Sequence, residues 1–166
     1  ITHDHLDFHK TFANYIAAKK SFFDKLPKTA FALTNIDDKN GKVMVQNTKA
    51  NIHTYSLRTA ADFKGIVMEN AFTGLHMRIN NREVYFKLCG KFNAYNLLAI
   101  YGAAVLLGLD EDEVLTKMSM LDSAAGRFQM LRGENGGTAI VDYAHTPDAL
   151  ENVLKTIRDI VGKEAE

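Results

Sequence analysis

The chain passes from a strand into a helix at Val141-Asp142-Tyr143-Ala144-His145-Thr146-Pro147-Asp148-Ala149-Leu150, and this stretch indicates the class of fold. Residues 138–143 predict a buried strand, and Thr146-Pro147 supplies an N-cap followed by a first-turn proline. In open α/β sheets, ligands bind at the carboxyl ends of strands, near helix N-termini. Asp142 is therefore a candidate for holding ribose hydroxyls, and His145 for reaching a phosphate. The competing interpretation is a plain strand-to-helix turn in which Asp142 is only a turn residue.

The N-terminal half also mixes helices with strands, which predicts an α/β fold. Apolar residues at helical spacing predict a helix over residues 11–26, and a short strand is expected over residues 30–34. Residues 43–46 read as weakly structured. Four more strands are expected within residues 52–88, and their short connections predict antiparallel pairing.

Helices dominate after residue 90. One is expected over residues 93–107, and the next begins at Asp110, which forms a capping-box-like start with Glu113. Residues 133–137, Gly-Glu-Asn-Gly-Gly, are the best candidate for a linker. The last helix is expected to present an apolar face made by Leu150, Val153, Leu154, Ile157 and Ile160.

Composition narrows the class of protein. The 166 residues are 46% apolar and 24% charged, as in ordinary globular domains. Lys+Arg and Asp+Glu balance at 20 each, so no net field attracts nucleic acid or an anionic membrane. A single cysteine, Cys89, excludes an internal disulfide framework and favours a reducing, cytoplasmic location. We interpret Cys89 as a buried structural thiol rather than a nucleophile.

The N-terminal segment carries candidate metal ligands. Asp4, His5 and Asp7 precede the first helix, and Lys19 lies four residues after Tyr15, on its predicted buried face. A lysine held there can extend its ammonium group to water, or lose hydration and react with carbon dioxide to give a carbamate suited to Mg²⁺. Spacing alone leaves open whether His5 is a ligand or part of a solvated helix cap. Lys20 is expected to face solvent.

Three more residues are candidates for nucleotide binding. Asn93 and Asn96 begin the Leu-rich helix and are either helix-start residues or amides for an adenine edge, which needs a donor and an acceptor together. Arg127 is either a surface charge or a planar donor for phosphate.

Four segments together resemble the Mur ligases, the ATP-dependent amide-forming enzymes of peptidoglycan synthesis. They occur in the family's order and are Asp4-His5-Leu6-Asp7-Phe8-His9, Tyr15-Ile16-Ala17-Ala18-Lys19, Phe92-Asn93-Ala94-Tyr95-Asn96 and the stretch 141–150. Asn35-Ile36-Asp37-Asp38 also resembles the family's strand-end asparagine and acidic pair. The resemblance covers essentially the whole chain and is closest to the branch that adds the third peptide residue.

The resemblance implies a role for each candidate residue. Lys19 matches a lysine that is carbamylated and helps to hold Mg²⁺, and His5 matches a histidine ligand of that ion. Asn93 and Asn96 match an asparagine pair near the adenine. Arg127 matches an arginine near the nucleotide phosphates. Asp142 matches a residue near the ribose, with Tyr143 and His145 beside the same pocket.

The implied reaction uses ATP to phosphorylate the terminal carboxylate of UDP-N-acetylmuramoyl-dipeptide, and the amine of a free amino acid then attacks the acyl phosphate. The added amino acid, diaminopimelate or lysine, stays open. No nucleic acid, membrane or obligate protein partner is implied. The nearest alternatives are a folylpolyglutamate synthase-like ligase and a non-catalytic nucleotide-binding or interaction module with the same fold.

The chain also departs from the family pattern. It contains no G-x-x-x-x-G-K-[ST] phosphate loop, and Gln129 stands where the family often has a glutamate. We therefore expect residues 1–132 to be the C-terminal part of the central ATP-binding domain and residues 133–166 to begin the C-terminal domain. The isolated chain is expected to be inactive, and an exposed strand edge is expected to favour self-association.

Overall fold

The computed structural model describes residues 11–162, which form twelve helices and strands. In chain order these are α1 (Phe12–Asp24), β1 (Phe31–Asn35), α2 (Gly41–Met44), β2 (Asn51–Ser56), β3 (Phe63–Ala71), β4 (Gly74–Ile79), β5 (Arg82–Phe86), α3 (Lys91–Leu106), α4 (Glu111–Ser119), β6 (Gln129–Arg132), β7 (Thr138–Val141) and α5 (Pro147–Val161). The expected α/β fold is confirmed. None of the helices within these residues has the length and apolarity needed to cross a membrane.

Five strands form one sheet in the order β1-β2-β3-β4-β5. The predicted antiparallel hairpins are confirmed for β3-β4 and β4-β5, but β2 and β3 run parallel over two residue pairs. The Asp62 carboxylate explains this difference, because its Oδ2 accepts hydrogen bonds from the amide and the hydroxyl of Thr54, 2.8 and 2.6 Å away. These bonds draw the connecting loop back along β2, so that Phe63 starts β3 beside Tyr55.

One face of this sheet packs against α3 and α4 and forms the main core. The buried residues are Phe63, Leu75, Met77, Ile79 and Phe86 from the sheet, Ala94, Leu97, Leu98 and Tyr101 from α3, and Val114, Leu115 and Met118 from α4. A smaller core of Ala32, Met44, Val45 and Ala50 lies under α1. These two helices therefore cover that face of the sheet, and the start of α3 lies beside the carboxyl end of β3, where the Gly90 amide bonds to Asn70.

The C-terminal segments differ most from expectation. Residues 133–137 are the turn of a β6-β7 hairpin, closed by a 2.8 Å bond from the Gly133 amide to the Gly137 carbonyl, rather than an extended linker. The strand β7 is largely exposed instead of buried, because β6 is its one partner strand in the part of the chain that the structure describes. The apolar face predicted for α5 is only partly covered within residues 11–162, since Leu150 and Leu154 are exposed while Val153, Ile157 and Ile160 are half-buried.

Two local predictions need correction. Residues 43–46 were expected to be weakly structured, yet Gly41–Met44 form a short helix whose Met44 is buried. The capping box at Asp110 is half formed. Asp110 accepts the Glu113 amide at 3.0 Å, while the Glu113 carboxylate pairs with Lys117 at 2.6 Å.

Candidate functional site

A cavity of about 600 Å³ brings four of the predicted residues together. Asn93 and Asn96 reach it from α3, Arg127 from the segment before β6, and Asp142 from the end of β7. Tyr143 and His145 are not among its lining residues. The walls are mainly apolar and include Leu88, Phe92, Ile100, Leu121, Ala149 and Val153. Apolar walls with a few converging polar groups are the usual form of a small-molecule site.

The amide pair is anchored at the start of α3. The Gly90 amide donates to Asn70 Oδ1 at 2.8 Å, and Gly90 has a φ of 93°, a conformation that glycine adopts without strain. Asn93 Nδ2 donates to the Cys89 carbonyl at 2.8 Å, and Asn96 Nδ2 lies 3.4 Å from Asn93 Oδ1. Asn93 is thus fixed by the backbone, which leaves the carbonyl oxygen of Asn96 and its second N–H for a ligand.

Asp142 organises the edge of the cavity. Its Oδ2 accepts the Phe128 amide at 2.8 Å and its Oδ1 accepts the Ala144 amide at 2.7 Å. A carboxylate oxygen can accept more than one hydrogen bond, so both oxygens can still receive a ribose hydroxyl. Asp142 is therefore both a turn residue and a usable acceptor, and the two interpretations of the sequence are compatible.

Tyr143 and His145 lie next to each other on the exposed side of the strand-to-helix turn. The Tyr143 side chain is 69% exposed, and its ring centroid lies 5.0 Å from that of His145. His145 Nδ1 is 2.9 Å from the Tyr143 carbonyl. Since a carbonyl only accepts, Nδ1 carries the proton in this contact and Nε2 is directed elsewhere. The Thr146 hydroxyl accepts the Ala149 amide at 3.3 Å, which confirms the predicted N-cap.

Lys19 lines a separate cavity of about 510 Å³ at the carboxyl end of β1. Its ammonium nitrogen lies 4.9 Å from the centroid of the Tyr15 ring, which confirms that both residues share one side of α1. Tyr15 is buried, but Lys19 borders the cavity and is exposed, which agrees with the solvated one of the two alternatives. The expectation for Lys20 is wrong, because its side chain is 13% exposed and pairs with Asp24 at 2.5 Å.

Oxygen-bearing side chains share the Lys19 cavity. Thr34, Asn35 and Asp38 line it, and oxygen groups of this kind are the ligands that Mg²⁺ prefers. Residues 11–162 contain no cluster of three or more His, Cys, Asp or Glu side chains that could hold a metal by itself. A carbamate on Lys19 would add a carboxylate to this set, so the donors present fit a hard cation. His5, the other predicted ligand, lies outside the described residues.

Asp37 joins the ends of two strands to α3, a role that its sequence position did not reveal. Its carboxylate accepts bonds from Ser56 Oγ, the Leu57 amide and the Tyr95 hydroxyl at 2.7, 2.7 and 2.9 Å. Burial disfavours the ionised form, but these bonds outweigh burial and hold the pKa of Asp37 below its ordinary value. The one sequence feature that pointed to a role for Asp37 was its position after Asn35 and Ile36, at the end of a predicted strand.

Cys89 is a buried free thiol, as predicted. Burial raises the pKa of the Cys89 thiol to about 11, so it stays protonated at neutral pH. Its Sγ lies 3.8 Å from the Met130 sulfur, which links the start of α3 to β6. The thiol is therefore a buried packing group against β6, as the interpretation of the sequence expected.

Comparisons with family models and with individual proteins point to the same family. Residues 1–104 match the Mur ligase middle domain, and residues 126–165 match the Mur ligase glutamate ligase domain. A UDP-N-acetylmuramoyl-L-alanyl-D-glutamate--2,6-diaminopimelate ligase from Phocaeicola vulgatus is 63% identical over 161 residues, which are 97% of this chain and 33% of that protein. The chain thus spans about a third of the length of this relative.

Comparison with solved structures points to the same family. A structure described as a UDP-N-acetylmuramoyl-L-alanyl-D-glutamate--2,6-diaminopimelate ligase superposes with a TM-score of 0.78 at 32% identity, covering 98% of this chain and 35% of the other. MurF from Acinetobacter baumannii superposes with a TM-score of 0.83 at 17% identity, over 94% of this chain and 36% of the other. The second similarity supports the fold alone.

Proposed function

This chain belongs to the Mur ligase family, and we propose that it supplies the nucleotide site of an ATP-dependent, amide-forming ligase of peptidoglycan precursor synthesis. The observation that carries the proposal is the cavity that gathers Asn93, Asn96, Arg127 and Asp142. The 63% identical relative is named for adding 2,6-diaminopimelate, which favours this amino acid over lysine as the third residue. The proposed location is cytoplasmic, and the proposed domain division lies between residues 132 and 133.

The cavity suits a nucleotide in a definite orientation. Asn96, whose side chain is hydrogen-bonded to that of Asn93, offers a donor and an acceptor to the adenine edge. Asp142 accepts from the ribose hydroxyls, and Arg127 donates to the phosphates through its planar guanidinium group. Tyr143 and His145 border the outer rim. With Nδ1 bonded to the Tyr143 carbonyl, the Nε2 of His145 donates to a phosphate when the ring carries a proton on both nitrogens.

The proposed reaction has two steps. The γ-phosphoryl group of ATP passes to the terminal carboxylate of UDP-N-acetylmuramoyl-dipeptide, which gives an acyl phosphate and ADP. The amine of the incoming amino acid then attacks the acyl carbon, and inorganic phosphate leaves as the amide forms. Lys19, as its carbamate, and His5 are the proposed ligands of Mg²⁺. When bound, this ion neutralises negative charge on the phosphoryl group.

A substrate test checks the proposal. The full-length protein that carries this chain is incubated with ATP, Mg²⁺ and UDP-N-acetylmuramoyl-dipeptide, with diaminopimelate or lysine in separate reactions. We expect release of ADP and phosphate and a product heavier by one diaminopimelate residue (the amino acid less water), detected by mass spectrometry. Turnover of a folate with glutamate instead would identify a folylpolyglutamate synthase-like ligase. Nucleotide binding without turnover of any substrate would identify a non-catalytic module.

Lys19 has its own test in the same assay. Lys19→Ala should abolish product formation, and small carboxylates such as acetate should restore part of it if the carbamate is the working group. Lys20→Ala is the matched control, because it removes the neighbouring charge and only an ion pair with Asp24. Full activity of Lys19→Ala without added carboxylate would rule out the proposed role.

A further inference from the structure

The segment that carries Arg127 has an unusual backbone. Residues 124–129, here called the Arg127 turn, contain two residues with positive φ, Gly126 at 69° and Phe128 at 49°. Glycine adopts this region freely, but a bulky L-residue such as phenylalanine does so at a cost in free energy. A conformation of this kind persists only where the surrounding structure enforces it.

Several contacts enforce the conformation of Phe128. The Phe128 side chain is 2% exposed, and its ring centroid lies 5.7 Å from that of Phe92. The Phe128 amide donates to Asp142 Oδ2 at 2.8 Å. The ring and the amide are thus held by α3 and by the end of β7, on two sides of the residue.

The rest of the Arg127 turn is also fixed. The Gly126 carbonyl accepts the Tyr143 amide at 2.8 Å, and the Gly126 amide donates to Gln129 Oε1 at 3.2 Å. The Arg127 amide donates to the Ala124 carbonyl at 3.0 Å. Gln129 therefore has a defined task, although the sequence showed it only as a departure from the glutamate that is common in the family.

These contacts determine where Arg127 lies. The φ torsion of Phe128 joins Arg127 to β6, and β6 is held in place by its pairing with β7. A change of that torsion to a negative value would rotate Arg127 relative to the strand and break the bond from the Phe128 amide to Asp142. We propose that Phe128 and Gln129 are positioning residues, which hold the Arg127 guanidinium in the cavity through the left-handed turn. This inference rests on the proposed function, in which Arg127 binds the nucleotide phosphates.

The affinities for ADP and for adenosine distinguish a positioning role of Phe128 and Gln129 from a role in packing alone. In the full-length protein, Arg127→Ala, Phe128→Ala and Gln129→Leu should each weaken ADP binding about tenfold, the loss expected for one hydrogen bond to a charged group. Adenosine has no phosphate, so its affinity should stay within about threefold of the parent value. The double variant Arg127→Ala/Phe128→Ala should bind ADP no more weakly than Arg127→Ala alone, because Phe128 acts through Arg127.

Gln129→Glu is the matched control for Gln129→Leu. It keeps an oxygen acceptor for the Gly126 amide and should keep the parent affinity for ADP. If Phe128→Ala fails to fold, the comparison of Gln129→Leu with Gln129→Glu still tests the proposal. Equal weakening of ADP and adenosine, or multiplied effects in the double variant, would overturn the inference and leave Phe128 as a packing residue.

A crystal structure of Phe128→Ala or Gln129→Leu tests the same inference without any nucleotide. We expect residue 128 at negative φ, or the Gly126 amide turned away, with Arg127 displaced from the cavity. An unchanged turn would overturn the inference. If Arg127→Ala leaves ADP binding unchanged while the turn moves as expected, the role given to Arg127 under the proposed function is the part that fails.

Discussion

Two half-buried carboxylates, Asp37 and Asp142, each accept hydrogen bonds from more than one part of the chain. Asp142 accepts two backbone amides beside the cavity that it lines with Asn93, Asn96 and Arg127, and Asp37 accepts from two side chains and from backbone amides between β2 and α3. In each case an acceptor-only group satisfies donors that strand ends and turns leave unpaired. The carboxylates therefore connect elements that the backbone hydrogen-bond ladders do not reach.

The bonds to Asp37 predict how stability depends on pH. Its pKa is lower in the folded state than the ordinary value of 3.8, because bonds to the carboxylate outweigh burial. The ionised form therefore stabilises the fold above pH 3.8, and this contribution is lost as the pH falls through the lower folded pKa. Asp37→Asn should reduce the free energy of unfolding at pH 7 by about 1–3 kcal/mol and flatten the loss of stability in acid.

Urea unfolding of Asp37→Asn at several pH values measures both effects. Asp122→Asn is the control, since Asp122 forms an exposed pair with Lys87, and such pairs contribute little. Equal stability of Asp37→Asn and the parent at pH 7 would show that these bonds are not net stabilising.

At the scale of elements, α3 contributes both to the main core and to the cavity lined by Asn93, Asn96, Arg127 and Asp142. Ala94, Leu97, Leu98 and Tyr101 are fully buried in the main core, while Asn93 and Asn96 line the cavity from the first turns of the helix. Because most of this helix is apolar, its periodicity alone could not tell the core side from the cavity side. Packing against the sheet settles the orientation of the asparagine pair.

The helix α4 offers a clean test of local structure. Asp110 Oδ1 accepts the amides of Asp112 and Glu113 at 3.1 and 3.0 Å, so it satisfies donors that the helix start leaves free. Asp110→Ala should lower the free energy of unfolding by about 1 kcal/mol. Asp110→Asn keeps an acceptor and should stay near the parent value. Thermal unfolding distinguishes them, and equal losses in both variants would point to charge rather than capping.

At the scale of the whole molecule, the outer edge of β1 has no partner strand within residues 11–162. The Ala30 carbonyl and the Ile36 amide both bond to β2, so by alternation the amide of Phe31 points to the open edge. Such an edge can pair with another chain. The predicted self-association therefore has a defined location.

Sedimentation of the 166-residue chain checks this prediction. We expect its apparent mass to rise with concentration across the micromolar range, where exposed strand edges associate. Phe31→Pro removes the outward amide at the first residue of the strand, where proline is tolerated, and should shift the chain toward monomer. Phe31→Ala keeps that amide and should still associate. A single mass at every concentration would contradict the prediction.

Local chemistry made much of the molecule predictable. The longer helices and the β3-β4 and β4-β5 hairpins followed from spacing and turn residues, whereas α2 and the β6-β7 turn did not. The motif residues Asn93, Asn96, Arg127 and Asp142 converge on one cavity. Lys20 was expected to face solvent but is half-buried, whereas the exposed Lys19 matches the solvated one of the two alternatives that the sequence left open. Helical spacing gives the side of α1 on which a residue lies, but not whether that side meets a core or a cavity.

The amino-acid sequence alone determined the family, the fold class and the identity of the groups that meet at the cavity, because these depend on local pattern and residue chemistry. Tertiary structure decided the parallel start of β3, the left-handed Phe128 and the shared acceptors Asp37, Asp62 and Asp142. Each of these depends on a contact between residues eight or more positions apart. No local propensity encodes such a contact, since its free energy appears only when the folded chain brings the partners together.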